Sequence, residues 1–188
     1  MTVVLLIILL IIGFVCDTAS AFTSAFSKRW GKSRGSFITF ILRNVLGIPV
    51  WVLGFLLAVR MHAKLFYEPA LMVRIFGWLM LAVGGAIILM ALVSIRTRAA
   101  APAVGDHLVQ TGLYNRVRHP IHLGTLLEFA GILVLVPKPA VAIACALGVV
   151  WVMVQTMCEE QDLLQRIPEY REYMKQVPRF MPRLGIKR

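Results

Sequence analysis

The sequence has few charged residues, few acidic residues in particular, and little cysteine. Only 15% of its 188 residues are charged, whereas 59% are hydrophobic, and the mean hydropathy is +0.80. A soluble domain of this size cannot bury so much apolar surface, so the composition argues against a water-soluble fold. Several apolar runs of roughly 15–25 residues instead predict an all-α, polytopic membrane protein.

The shortage of acidic residues leaves a strongly basic chain. The chain has nine Asp and Glu residues and twenty Lys and Arg residues, which gives a formal net charge of +11. Basic residues beside membrane spans fix topology and contact anionic lipid, so this charge does not indicate nucleic-acid binding. The three cysteines all lie in or beside apolar segments and predict neither a disulfide framework nor a zinc site. We therefore expect the bilayer as a partner, without nucleic acid or metal.

The apolar runs predict about five transmembrane helices in two regions. Residues 1–98 hold three spans, at about 3–26, 37–59 and 71–95. Residues 99–188 hold a linker, a helical hairpin of two spans at 121–136 and 140–157, and an amphipathic tail. The first run is either a retained helix or a cleaved signal peptide ending at Ala19-Ser20-Ala21. No Lys or Arg precedes it, so we favour retention.

Clusters of basic residues predict the orientation. They lie at 28–34, 96–98, 116–118 and in the tail, and the positive-inside rule holds all of them in the cytoplasm. The N-terminus is then outside, and the C-terminus inside. In a bacterium the protein would occupy the inner membrane.

A few residues inside the predicted spans bear on function. Arg43 either extends to the lipid headgroups or faces inward toward a substrate. Pro49 should kink the same span. Gly77 and Gly84 share a helix face and should let a neighbour approach closely. Glu128 is costly in a membrane unless it is paired or hydrated, which makes it a candidate substrate-binding or internally bonded residue.

The stretch from Asp106 to Gly124 interrupts the apolar pattern. It contains three of the four histidines. Pro120 suits the first turn of a helix, so Arg118 and His119 should lie at a helix start, where free N–H groups favour anions. The hairpin that follows returns the chain to this surface with two carboxylates, Glu159 and Glu160.

Several of these motifs occur in one order in a known family. They are Gly112-Leu113-Tyr114, Arg118-His119-Pro120, Gly124, the Glu159-Glu160 pair and the Val-Pro-Arg-Phe-Met-Pro run at 177–182. Over about residues 105–183 the chain resembles the isoprenylcysteine carboxyl methyltransferases, and phospholipid N-methyltransferases share a similar core.

The resemblance implies a cytoplasmic S-adenosylmethionine site that is capped by the tail. The cofactor-binding positions it implies are Asp106, His107, Leu108, Val109, Tyr114, His119, Pro120, Ile121, His122 and Glu159.

The chemistry of this cofactor suits the residue types. Arg118, His119 and the helix start could bind its carboxylate, and Glu159 or Glu160 its ammonium or ribose hydroxyls. An amine or thiol acceptor must lose a proton, for which His119 or His122 is a plausible base. The candidate catalytic residues are therefore His119, His122 and Arg118.

Two departures from the family concern the acceptor. The family usually has Tyr at the position of His122, and the prenylcysteine enzymes have an Arg where this chain has Gln155. A carboxylate would lose its cationic partner there. We therefore expect a lipid-like or small membrane-soluble acceptor other than prenylcysteine, with Gln155, Glu128 and Arg43 as candidate substrate contacts.

Two other functional classes stay open from the sequence. Membrane sterol and isoprenoid reductases, which use a nicotinamide cofactor, resemble the same core. A catalytically silent scaffold is the other possibility. The Glu pair and the Val-Pro-Arg-Phe-Met-Pro run favour methyl transfer.

Overall fold

The protein folds as a bundle of helices, in agreement with the predicted all-α class. The computed structural model describes residues 3–95 and 107–182, which contain no strand. Asp106 lies outside this part. The described helices are α1 (Val3–Ser20), α2 (Thr23–Trp30), α3 (Lys32–Phe40), a π-helix (Ile41–Gly47), α4 (Ile48–Arg60), α5 (Leu71–Ile95), a 3-10 turn (Gly112–Asn115), α6 (Pro120–Leu135), α7 (Pro139–Arg166) and α8 (Tyr170–Gln176).

Four helical stretches in the described residues are long and apolar enough to cross a membrane. They are Val3–Ser20, Lys32–Arg60, Leu71–Ile95 and Pro139–Arg166. The fifth predicted span, α6, is apolar but has only 16 residues. Its length of about 24 Å falls short of a hydrocarbon core of ~30 Å. The polytopic helical architecture is confirmed, with four candidate spans and α6 as a shorter apolar helix among the described residues.

The chain between the first two spans differs from the prediction. We expected the first helix to continue to about residue 26, but α1 ends at Ser20, where the chain turns and α2 begins. The Ser24 amide donates to the Asp162 carboxylate of α7 at 2.8 Å, so a distant side chain satisfies an amide at the start of α2. The second span also begins earlier than predicted, at Lys32.

Proline positions explain two helix irregularities. The π-helix lies directly before α4, whose first turn contains Pro49. Proline has no N–H to donate to the preceding turn, and its ring clashes with a carbonyl group of that turn. The wider π-helical turn relieves the clash and accommodates the missing hydrogen bond. At the other end, α7 continues to Arg166 and stops before Pro168. The Glu159-Glu160 pair therefore lies within α7, beyond the predicted end of the fifth span.

Helices α5 and α6 pack through glycines, as predicted for Gly77 and Gly84. A Cβ atom on Gly84 would lie 2.8 Å from the Gly124 carbonyl oxygen, and one on Gly131 would lie 3.0 Å from that of Gly77. Neither contact could accommodate a side chain without a shift of the backbone.

Aromatic residues fill the core between α1, α4, α6 and α7. Phe14 stacks on Trp151 with centroids 4.7 Å apart, and Phe55 stacks on Phe129 at 4.6 Å. Trp51 lies between the two pairs and contacts both. This cluster closes the bundle beneath the polar end, where α2, the 107–119 segment, the end of α7 and the tail come together.

Candidate active site

The start of α6 is built by the 107–119 segment and the tail together. As predicted, Pro120 begins the helix, and His119 precedes it as the N-cap residue. The backbone N–H groups of Arg118 and His119 donate to the carbonyls of Pro178 and Arg179, at 2.9 and 3.2 Å. These two hydrogen bonds join the tail to the residues before α6, whereas the N–H groups that were expected to favour an anion are those of the first turn of α6 itself.

A cavity of about 280 Å³ lies inside this polar end. Its size is near the lower end of the range for small-molecule sites. Residues from α1, the π-helix, the 107–119 segment, α6, α7 and α8 line it. The predicted site residues among them are Arg43, His107, Leu108, Val109, Tyr114, Arg118, His119, Ile121, His122, Gln155 and Glu159.

Glu159 is the centre of the polar network in the cavity. Its Oε1 accepts hydrogen bonds from Arg43 Nη2 and Gln155 Nε2, both at 3.0 Å. Its Oε2 lies 3.6 Å from His119 Nδ1 and 4.0 Å from His122 Nε2. One carboxylate thus connects the second span, α6 and α7.

Arg43 faces inward, which decides between its two predicted orientations. Besides Glu159, its Nε lies 3.1 Å from Ser20 Oγ and 3.7 Å from Asp17 Oδ1. Asp17 is 4% exposed and also accepts a hydrogen bond from Trp51 Nε1 at 3.2 Å. No role was predicted for Asp17, although an ionisable residue in an apolar helix is a functional signal by itself.

Glu160 lies behind the cavity and is not among its lining residues. It is 4% exposed and contacts Arg118, His119 Nε2 and Arg179 Nε at 3.3, 3.2 and 3.1 Å. The hydrogen bond with Glu160 raises the pKa of Arg179. Glu160 therefore fixes the tail and the two residues before α6, a position different from the predicted cofactor contact.

The two histidines are held in defined orientations. His122 Nδ1 lies 2.9 Å from Thr156 Oγ1, whose own proton is donated to the Val152 carbonyl at 2.7 Å. His122 must therefore donate from Nδ1, so the neutral ring carries its lone pair on Nε2. Burial disfavours the charged form of His119, but hydrogen bonds with Glu159 and Glu160 outweigh that effect and raise its pKa.

Several buried polar atoms on the cavity wall have no hydrogen-bond partner within the described protein. They are Nε and Nη1 of Arg118, Nε1 of Trp151, Oε1 of Gln155 and the hydroxyl of Tyr170. Buried polar groups of this kind are costly unless a ligand satisfies them. Residues that line the cavity thus have unused donors at Arg118 and an unused acceptor at Gln155, although these atoms themselves have almost no accessible surface.

The other predicted residues lie outside this wall. Pro120 is buried without lining the cavity. Glu128 lies in the α5–α6 contact, where a Cβ on Gly84 would be 3.0 Å from its Cγ. The wall also includes residues for which no role was predicted, and these are Asp17, Ser20, Trp51, Trp151 and Asp162.

Comparison with known proteins identifies the family. A family model described as phospholipid methyltransferase matches residues 42–171, which is 130 of the 188 residues. The chain belongs to the phospholipid methyltransferase family. The match begins at residue 42, upstream of the 105–183 segment that carries the motifs, and it includes Arg43. The chain is therefore a member of this family whose described helices include four that are long and apolar enough to cross a membrane.

One similar curated protein is the cobalt-zinc-cadmium resistance protein CzcN of Cupriavidus metallidurans. It is 32% identical over 82 residues, which is 43% of this chain. The matched segment spans only 38% of that relative's length. No solved structure matches this member of the phospholipid methyltransferase family.

Proposed function

We propose that the protein transfers a methyl group from S-adenosylmethionine to a lipid-like or small membrane-soluble acceptor within the cavity. Three observations support this: the family, the position of the cavity, and the unpartnered donors of Arg118 on its wall. The third carries the most weight, because the Nε and Nη1 donors of this guanidinium have no hydrogen-bond acceptor in the described part of the protein.

Arg118 is suited to the carboxylate of the cofactor. Its Nη2 is 3.3 Å from Glu160, which fixes the guanidinium, while Nε and Nη1 are left for a ligand. Tyr114 and the 108–109 backbone border the same region and suit the adenine. Burial raises the pKa of Tyr173 to about 12, so its hydroxyl remains a donor to the Tyr114 carbonyl.

Methyl transfer depends mainly on the alignment of the methyl donor with the acceptor, and it needs no covalent intermediate with the protein. Bound S-adenosylmethionine supplies an electrophilic methyl group, whose bond to sulfur breaks as the bond to the acceptor forms. The residues around Glu159 hold donor and acceptor in line, an effect worth up to ~7–11 kcal/mol in favourable cases. His122 Nε2, with its lone pair toward the cavity, is placed to take the proton that an amine or thiol acceptor loses.

Gln155 sets the proposed chemistry of the acceptor. It is 1% exposed, its Nε2 is held by Glu159, and its Oε1 is unpartnered on the wall. An amide oxygen accepts hydrogen bonds and cannot pair with a carboxylate. We therefore propose an acceptor headgroup with an N–H or S–H donor, such as a lipid amine or a small thiol, rather than a prenylcysteine acid.

Calorimetric titration of the purified full-length protein tests the cofactor. S-adenosylmethionine should bind and NADPH should not. Arg118→Gln should weaken binding by about 10- to 150-fold, the equivalent of a charge-assisted hydrogen bond of about 1.5–3 kcal/mol. Arg116→Gln, two residues away and exposed, is the matched control. Binding of NADPH alone would support a reductase, and binding of neither would support a scaffold.

Transfer of labelled methyl groups tests the acceptor. We expect label in aminophospholipids or in a small thiol, and little in farnesylated cysteine. Robust methylation of farnesylated cysteine would overturn the acceptor proposal while leaving the cofactor proposal intact.

A further inference from the structure

Three potential metal ligands converge in the middle of the cavity. One side-chain atom each of His119, His122 and Glu159 lie within 4.8 Å of one another, and we call these residues the His–Glu cluster. The histidines lie three apart at the start of α6, with their rings stacked at 5.4 Å and only 6° from parallel. Glu159 reaches both from α7 through the same oxygen, Oε2.

The outer nitrogen of each ring has its own partner. His122 Nδ1 donates to Thr156, and His119 Nε2 lies 3.2 Å from Glu160. Histidines that bind metals usually hold their second nitrogen in this way, against a hydroxyl, carbonyl or carboxylate. The inner nitrogens, His119 Nδ1 and His122 Nε2, are thereby directed at Glu159.

The atoms that face one another can all donate an electron pair to a metal ion when both rings are neutral. Two imidazole nitrogens and a carboxylate oxygen then repel one another unless a cation, either a proton or a metal ion, lies between them. Arg43 and Gln155 donate to the other oxygen, Oε1, both at 3.0 Å. The cluster therefore has the ligand types, orientation and supporting contacts of a cation site.

We propose that the His–Glu cluster binds one divalent transition-metal ion of the zinc class. Two imidazoles and one carboxylate suit zinc, and three protein ligands leave a fourth position open to the cavity, as in catalytic rather than structural sites. Tetrahedral zinc ligands lie about 3.3 Å apart, so the separations of 3.6 and 4.0 Å need only small side-chain shifts.

This site goes beyond the methyl transfer proposed above, and it differs from the expectation that no metal binds. A bound ion would occupy the His122 Nε2 lone pair, so His122 could act as the base of methyl transfer only in the metal-free protein. That expectation came from the cysteines, which take no part in the cluster. The metal can be titrated without any cofactor, and cofactor binding can be measured in the presence of a chelator. Failure of one proposal is therefore distinguishable from failure of the other.

Calorimetry with zinc chloride tests the site on the full-length protein after treatment with a chelator. We expect one ion per chain. His122→Asn keeps an amide N–H for Thr156 but removes the inner nitrogen, and should weaken zinc binding more than Thr156→Val, for which a 10- to 100-fold loss is typical of a supporting residue. His62→Asn, an exposed histidine in the α4–α5 connection, should bind zinc normally.

Cobalt provides a second measurement that does not depend on variants. Bound Co²⁺ should give the visible absorption of a four-coordinate site with nitrogen ligands. Absence of stoichiometric zinc binding by the unmodified protein would overturn the proposal. Equal losses in His62→Asn and His122→Asn would do the same, because they would indicate adventitious binding to histidine.

Discussion

Replacing Glu159 by Gln should weaken cofactor binding much more than replacing Glu128 by Gln. Both changes remove one carboxylate charge with almost no change in volume, and both carboxylates lie within the helical bundle. Their surroundings differ, since Glu159 lines the cavity whereas Glu128 lies in the α5–α6 contact. Comparing the two variants therefore distinguishes the loss of a contact in the cavity from the general effect of losing a buried charge.

The size of the effect follows from the contacts of Glu159. The carboxylate is positioned by Arg43 and Gln155 at 3.0 Å, so it needs little ordering when a ligand binds. A charge-assisted hydrogen bond to the ammonium or a ribose hydroxyl of the cofactor is worth about 1.5–3 kcal/mol. Its loss corresponds to a rise in Kd of about 10- to 150-fold. For Glu128→Gln we expect a change of less than about twofold.

Equilibrium dialysis with labelled S-adenosylmethionine measures both affinities on detergent-solubilised protein. Thermal melting of each variant shows whether it is folded, which matters because Glu159 also joins three helical segments. If folded Glu159→Gln bound the cofactor as tightly as the unmodified protein, the cofactor role of Glu159 would be refuted. An equal loss in Glu128→Gln would refute the argument from position.

Three further outcomes are expected. Gly84→Ala should lower the free energy of unfolding by about 1–3 kcal/mol in thermal melting, because its Cβ would meet the α6 backbone, whereas Gly85→Ala has room and should not. Arg179→Gln should weaken cofactor binding without loss of the fold, since it removes an ion pair between the tail and α7; unchanged affinity would show that the tail does not cap the site. Single cysteines at Ser33 and Pro139 should be labelled from opposite sides of the membrane, and labelling from one side would contradict the predicted topology.

The spans were predictable because they depend on hydropathy alone. Leu71–Ile95 matches its predicted bounds, and α6 and α7 begin within one residue of theirs. The chain between Ser20 and Ile41 was not predictable. Its break depends on tertiary contacts, such as the Ser24 amide with Asp162, which no local pattern of residues reveals.

The sequence predicted many of the residues that line the cavity, but it did not predict how their side chains contact one another. The motifs of the 107–122 stretch do line one cavity with Glu159. Asp17 and Trp51 were missed because they lie in apolar helices whose relative rotation the sequence does not fix. Thr156 was missed because a hydroxyl in a helix normally bonds to its own backbone, which it also does here.

Glu159 and Glu160 have different contacts, and helix geometry explains the difference because α7 continues past both residues to Arg166. Neighbouring residues in an α-helix point about 100° apart, so Glu159 and Glu160 lie on different faces of α7. Of the residues spaced by three or four along this side of α7, the cavity wall includes Trp151, Gln155, Asp162, Leu163 and Arg166. A polar stripe at helical spacing that continues out of an apolar span is therefore the signal that marks this wall. The Glu-Glu motif alone does not distinguish the two carboxylates. The helical spacing of the polar residues places Glu159 on the cavity wall, and Glu160 contacts the tail instead.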